Sequence, residues 1–263
     1  MRRTIADMTR IALITGGSRG LGRASALALA DDGVDIVLTY RTGADEAAAV
    51  VAELEARGRA ATALHLDTTA PATFAAFAAE LRGVLRERWQ REDVDILLNN
   101  AGFAANTPFG GTDRATIDSL VAVHFTGVVL LTQELSPLLA NGARLLNVST
   151  GLTQNLVNPA YSVYSAMKGA IEVWSRYLAK ELGPRGITVN VIAPGATATD
   201  FAGGLIRDSE AYQAGIIASS PLGRVGQPDD IGRAVAAILS PEMAWVTGQR
   251  IEASGGQGMG VWR

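Results

Sequence analysis

No cysteine occurs in the 263 residues. Disulfides and thiolate metal sites are therefore excluded, a cytoplasmic setting is expected, and no metal site is anticipated. Lysine is nearly absent as well: of 23 Lys and Arg side chains only Lys168 and Lys180 are lysine. Positive charge is not in surplus. A net charge of -3 and a pI near 5.5 give no footprint for nucleic acid or an anionic membrane. No stretch approaches the ~20 apolar residues that cross a bilayer. The basic start MRRTIADMTR has no apolar core behind it, so it does not read as a secretory signal. Met8 offers a second start, which leaves residues 1–8 as a flexible extension. No linker, repeat or low-complexity segment divides the rest, so residues 9–263 are expected to form one domain.

What is present is a regular alternation. Apolar runs at Ile11–Thr15, Ile36–Tyr40, Ala61–Leu66, Ile96–Asn99, Leu145–Ser149, Val189–Ala193 and Gln249–Ala253 read as strands. Helical stretches lie near Leu21–Asp32, Glu46–Arg57, Ala72–Trp89, Ala115–Leu139, Val163–Leu182 and Asp229–Leu239. Most strand runs lack polar alternation, as strands covered on both faces do. The expected fold class is α/β: a doubly wound parallel sheet of about seven strands with helices on both faces. The interval Thr197–Arg224 has no clear strand and is expected to be a substrate flap.

The first strand runs into TGGSRGLG, Thr15 to Gly22, with glycines at 16, 20 and 22 before a helix. Glycine lets backbone approach a ligand, and a helix N-terminus favours a pyrophosphate. The second strand ends without the acid that usually bonds a ribose 2′-hydroxyl. Arg41 follows it directly, and Arg19 lies inside the glycine turn. Two guanidinium groups suit a 2′-phosphate, so NADP(H) is expected and NAD is less so. Asp67 is placed either to accept an adenine amino group or to cap the next helix.

YSAMK carries the chemistry. Tyr164 and Lys168, four residues apart, share one helix face. A free phenol has a pKa near 10, and a neighbouring ammonium is expected to lower it towards the range of a working general acid–base. A compact ammonium does this better than a guanidinium fork, which explains a lysine in a chain that otherwise prefers arginine.

Taken together, TGGSRGLG (15–22), NNAG (99–102), YSAMK (164–168), VNVIAPG (189–195) with Thr199, GQPDDI (226–231) and VTGQ…SGG (246–256) resemble the short-chain dehydrogenase/reductase family across nearly the whole chain. The resemblance implies a Rossmann-type fold. It also implies hydride transfer between a nicotinamide and a carbonyl or secondary alcohol carbon, with the substrate a 3-oxoacyl group or a ketone. It places the cofactor on Gly16, Ser18, Arg19, Gly20, Leu21, Gly22, Tyr40, Arg41, Asp67, Asn99, Ala101, Gly102, Tyr164, Lys168, Pro194, Gly195, Thr197 and Thr199. Tyr164 would protonate the carbonyl oxygen and Lys168 would hold the ribose hydroxyls. Asn99 to Gly102 would stabilise the sheet beside the cofactor, and Thr199 would bond the carboxamide.

Two positions depart from the family pattern. The hydroxyl that bonds the substrate oxygen falls on Thr150, with Ser149 as the alternative. His124 stands where the family has asparagine, in a helix whose distortion admits a relay water; it titrates near neutrality and is expected to join the relay. His65 reads as structural. The substrate pocket is expected between Phe103–Phe109 and the flap, whose Phe201, Leu205, Ile206, Tyr212, Ile216 and Ile217 make apolar walls. Arg207 and Arg224 are candidates for a carboxylate or an acyl-carrier phosphopantetheine. The resemblance implies a homotetramer, paired through helices 115–139 and 163–182. Met259, Val261 and Trp262 are expected to dock on a neighbouring subunit. The altered positions leave an NADP-holding sensor without turnover, or a pure assembly protein, as rival readings.

Overall fold

The computed structural model describes residues 9–155 and 158–259. The proposed extension 1–8 and the tail residues Val261 and Trp262 lie outside them. In chain order the elements are β1 (Ile11–Ile14), α1 (Gly20–Asp31), β2 (Asp35–Tyr40), α2 (Ala44–Ala56), β3 (Ala61–His65), α3 (Phe74–Trp89), β4 (Val94–Asn99), α4 (Arg114–Val121), α5 (Gly127–Leu135), β5 (Leu139–Val148), α6 (Ser162–Leu182), β6 (Thr188–Pro194), α7 (Leu205–Asp208), α8 (Glu210–Ser219), α9 (Pro228–Ile238) and β7 (Arg250–Ala253). The seven strands form one sheet, ordered β3-β2-β1-β4-β5-β6-β7, and every pairing is parallel.

Strand alternation builds two cores. Ala12 and Ile14 face one side with residues of α1, α2 and α9; Ile11 and Leu13 face the other with α3 and α5. A buried Leu or Ile in such a core is worth about 2–5 kcal/mol against truncation to Ala. Helices α1 and α9 approach closely, since a Cβ at Gly232 would lie 2.5 Å from Ala24 O. The capping box at Gln227 and Asp230 starts α9.

Three expectations are corrected. β5 begins at Leu139, inside the stretch read as helix, and skips register between Val94↔Leu139 and Ile96↔Arg144. The helix read as Ala115–Leu139 is α4 and α5 joined by a π-helical turn over Ala122–Thr126. The run Arg114–Leu138 is, by length and composition alone, long and apolar enough to cross a bilayer, with mean hydropathy 1.6. Its few polar residues do not offset the Val and Leu around them. Here Leu131 and Leu135 pack into the core on one face of the sheet, and Leu120 is buried as well.

Candidate active site

The chain reverses its direction of sheet growth between β1 and β4, and a crevice opens there beyond the strand ends. Thr15 ties the two strands: its hydroxyl accepts from Asn100 N at 2.9 Å and Ala101 N at 3.0 Å. Asn100 Nδ2 donates back to Thr15 O and Gly16 O, each at 2.9 Å. Gly16 has φ +65°, and a Cβ on Gly22 would meet Gly16 O at 2.2 Å, so the turn requires glycine at both places. Helix α1 starts at Arg19 with no side-chain cap, which leaves its first N–H groups for a ligand. Arg19 and Arg41 line the same cavity, and neither makes an ion pair among the described residues. The cavity measures about 1160 Å³, enough for a dinucleotide beside a second molecule. The bare N–H groups and unpaired guanidiniums fit the pyrophosphate and 2′-phosphate of NADP(H).

α6 carries Tyr164 and Lys168 on its buried face. Lys168 Nζ donates to Val148 O at 2.7 Å and lies 5.9 Å from the Tyr164 ring centroid. An ammonium has three donors, so two remain for the cavity. The expected net lowering of the phenol pKa is corrected. Burial pushes Tyr164 above its ordinary 10, the Thr150 hydroxyl pulls it down less, and Tyr161 adds a further rise. The phenol is therefore protonated at neutral pH. Burial also lowers Lys168 from 10.5 to about 8.

Ser149 and Thr150 diverge. The Ser149 hydroxyl donates to Glu172 Oε1 at 2.6 Å. The Thr150 hydroxyl is the one that acts on Tyr164, drawing its pKa down against burial. It also accepts from Leu152 N at 3.3 Å, which fixes its direction. Glu172 and Arg250, absent from the sequence-derived site, form a partly buried ion pair at 2.9 Å behind these hydroxyls. Arg250 further donates to Thr150 O at 3.3 Å.

His124 sits in the π turn, where the family resemblance implied a distorted helix. Its Nε2 bonds Phe103 O at 2.7 Å, so this nitrogen carries the proton. Nδ1 is buried without a partner among the described residues and lies against Gly102. The expected titration near neutrality is corrected. Burial first, then the Lys168 charge, lower His124 to about 3, against an opposing effect of Phe103 O.

Gly16, Ser18, Arg19, Gly20, Leu21, Tyr40, Arg41, Ala101, Gly102, Pro194, Gly195, Thr197 and Thr199 all line the cavity, with the catalytic candidates. Gly22, Asp67 and Asn99 do not. Asp67 binds the N–H and hydroxyl of Thr69. Asn99 points into the helix layer, donating to Thr132 at 2.9 Å and Asn147 at 2.8 Å. Its neighbour Asn100 faces the cavity, as strand alternation dictates. Gln257 was also missed; it accepts from Ala196 N at 2.9 Å. Phe109 was expected in the pocket wall but is fully exposed, while Phe103–Asn106 line the cavity. Arg207 and Arg224 were candidate anion binders. Arg207 is held by Asp200 and Asp208, and Arg224 by Asp230 at 2.5 and 2.9 Å.

A family model described as enoyl-(acyl carrier protein) reductase matches residues 16–257. An uncharacterized oxidoreductase of Methylorubrum extorquens is 39% identical over 251 residues, covering 94% of this chain and 97% of its own. A 3-oxoacyl-[acyl-carrier-protein] reductase of Synechocystis is 34% identical over 254 residues, covering 95% and 97%. The crystal structure of an angucycline C-6 ketoreductase with bound NADP superposes with TM-score 0.90 at 34% identity, covering 97% of this chain and 98% of its own.

Proposed function

The chain belongs to the short-chain dehydrogenase/reductase family, and from that premise we propose that it is an NADP(H)-dependent oxidoreductase acting on a carbonyl or secondary alcohol carbon. The observation that carries this reading is the convergence of Thr150, Tyr164 and Lys168 at one end of a cavity whose other end holds Arg19 and Arg41.

NADPH supplies the hydride. The Thr150 hydroxyl donates a hydrogen bond to the carbonyl oxygen and orients it. Tyr164, kept protonated by burial, gives its proton to that oxygen as charge develops there. Lys168 holds the nicotinamide ribose with the two donors that Val148 leaves free. Its positive charge stabilises the phenolate left behind. His124 enters as a neutral hydrogen-bond acceptor through Nδ1, beside the phenol at 5.1 Å between ring centroids, and orients the proton relay without itself taking up the proton. Arg19 and Arg41 clasp the 2′-phosphate. Thr199 and Pro194–Thr197 wall the nicotinamide.

In this reading the subunits pair through α5 and α6, where Leu130, Val173 and Tyr177 are exposed, to build a cytoplasmic homotetramer. The sensor without turnover has no observation on its side.

The test is NADPH oxidation across a ketone panel, with Tyr164→Phe as control. Loss of turnover in the variant supports the reading, and equal rates in both proteins sink it. Arg41→Asp should weaken NADPH and favour NADH; an unchanged preference removes the 2′-phosphate assignment.

A further inference from the structure

Aromatic side chains make up only 6% of the sequence, yet they crowd the reacting phenol. The Tyr164 ring has Tyr161 at 6.3 Å and 70°, and Phe201 at 6.0 Å and 53°, with His124 edge-on behind it. Tyr212 lines the cavity from α8. Phe201 and Tyr212 are 42% and 48% exposed although they face this space, and neither α7 nor α8 has a buried residue. These rings therefore find little cover within the chain itself.

Charge narrows the choice. The cations lining the cavity among the described residues are Arg19 and Arg41, at the end away from Tyr164, and Lys168, which stands beside Tyr164 and is bound to Val148 O. Asp200 lines the substrate end but is paired with Arg207, and Arg224 is paired with Asp230. A carboxylate or a carrier-bound phosphopantetheine finds no free guanidinium there. Polar character comes instead from neutral groups such as the Tyr161 phenol, which burial first and Tyr212 second keep protonated.

We propose that the substrate is an uncharged aromatic ketone whose ring system packs against Tyr161, Phe201 and Tyr212 while its carbonyl meets Tyr164 and Thr150. The inference rests on the oxidoreductase reading and names its substrate class. An aliphatic ketone would bury similar area against Leu205 and Ile216. It would forgo the ring pairing, worth about a twofold to tenfold gain in binding per pair.

The test compares 1-tetralone with 2-decanone, which has the same number of carbon atoms, and with acetoacetyl-CoA. Both turnover with NADPH and binding to the enzyme–NADP⁺ complex by calorimetry are measured. The expected kcat/KM for 1-tetralone is about tenfold or more above that for 2-decanone and for acetoacetyl-CoA. Phe201→Leu, which keeps apolar area but loses the ring, should shrink the 1-tetralone preference, and Tyr212→Leu should do the same. Equal or better turnover of 2-decanone or acetoacetyl-CoA overturns the aromatic class and leaves the oxidoreductase reading standing. If no ketone oxidises NADPH, the oxidoreductase reading fails and the binding arm decides the class. Tighter binding of 1-tetralone than of 2-decanone then supports it, and no preference overturns it.

Discussion

Glu172 Oε1 takes the Ser149 hydroxyl at 2.6 Å, and this single bond separates Thr150, which the sequence favours, from the adjacent alternative Ser149. Glu172 stands one helical turn beyond Lys168 on α6, so the helix that carries the acid–base pair also draws Ser149 out of the reaction. Thr150 is left as the hydroxyl that acts on Tyr164.

Exchanging these hydroxyls should therefore have unequal effects. Thr150→Val removes the donor to the carbonyl oxygen while preserving shape. Its kcat should fall about 100-fold to 1,000-fold, as when one oxyanion donor is lost. Thr150→Ser should retain most activity. Ser149→Ala should cost about 1 kcal/mol of stability and leave kcat close to the parent. Steady-state kinetics and denaturant melts on the three variants check this, and a larger kcat loss in Ser149→Ala than in Thr150→Val reverses the assignment.

Lys168 makes activity and stability respond to pH in opposite directions. Its folded pKa is about 8, below the ordinary 10.5. As pH rises through 8 the free enzyme loses the ammonium, so kcat/KM for NADPH should fall. Between 8 and 10.5 the unfolded chain still binds a proton that the folded chain has released, so folding stability should rise with pH. Kinetics and urea melts from pH 7 to 10 read both trends, and Lys168→Met should abolish the second.

Much of this site was legible in the sequence, and the failures share a cause. The glycine turn, the Tyr164–Lys168 pair and the unopposed Arg41 are local patterns, and each lines the cavity as expected. Glu172 and Arg250 are 78 residues apart and meet only because β7 closes the sheet edge beside α6. Asn99 and Asn100 divide the sheet-stabilising role that the motif implies: Asn99 bridges to Asn147 of β5, and Asn100 ties the Thr15–Gly16 turn and reaches the cavity. Arg207 and Arg224 looked available because their partners Asp200, Asp208 and Asp230 act through folded geometry in the flap and at the start of α9.

His124 should make the fold sensitive to acid. Its folded pKa of about 3 lies below the ordinary 6.5. As pH falls from 6.5 towards 3 the unfolded chain gains a proton that the buried ring refuses, and stability is lost over that window. His124→Asn should flatten this part of the stability curve and keep turnover, since an amide also offers an acceptor in the π turn. His124→Phe should lower turnover because it offers none. Denaturant midpoints at pH 7, 5 and 4 separate the variants, and equal acid loss in the parent and His124→Asn would remove His124 as the cause.

The partly buried pair Glu172–Arg250 supports Thr150 from behind. Both side chains are 15% exposed, and Arg250 also reaches Glu252 at 2.8 Å and the Thr153 hydroxyl at 3.2 Å. Arg250→Met leaves two partly buried carboxylates without their cation and should cost about 1–3 kcal/mol. Adding Glu172→Gln removes one stranded charge, so the double variant should be more stable than Arg250→Met alone. Thr150 O loses its guanidinium donor in both proteins. Both should therefore show lowered kcat with little change in KM for NADPH, whose contacts lie across the cavity. Recovery of stability without recovery of kcat would separate the positioning of Thr150 from general loosening of the fold, whereas joint recovery would mean that Arg250 acts through stability alone.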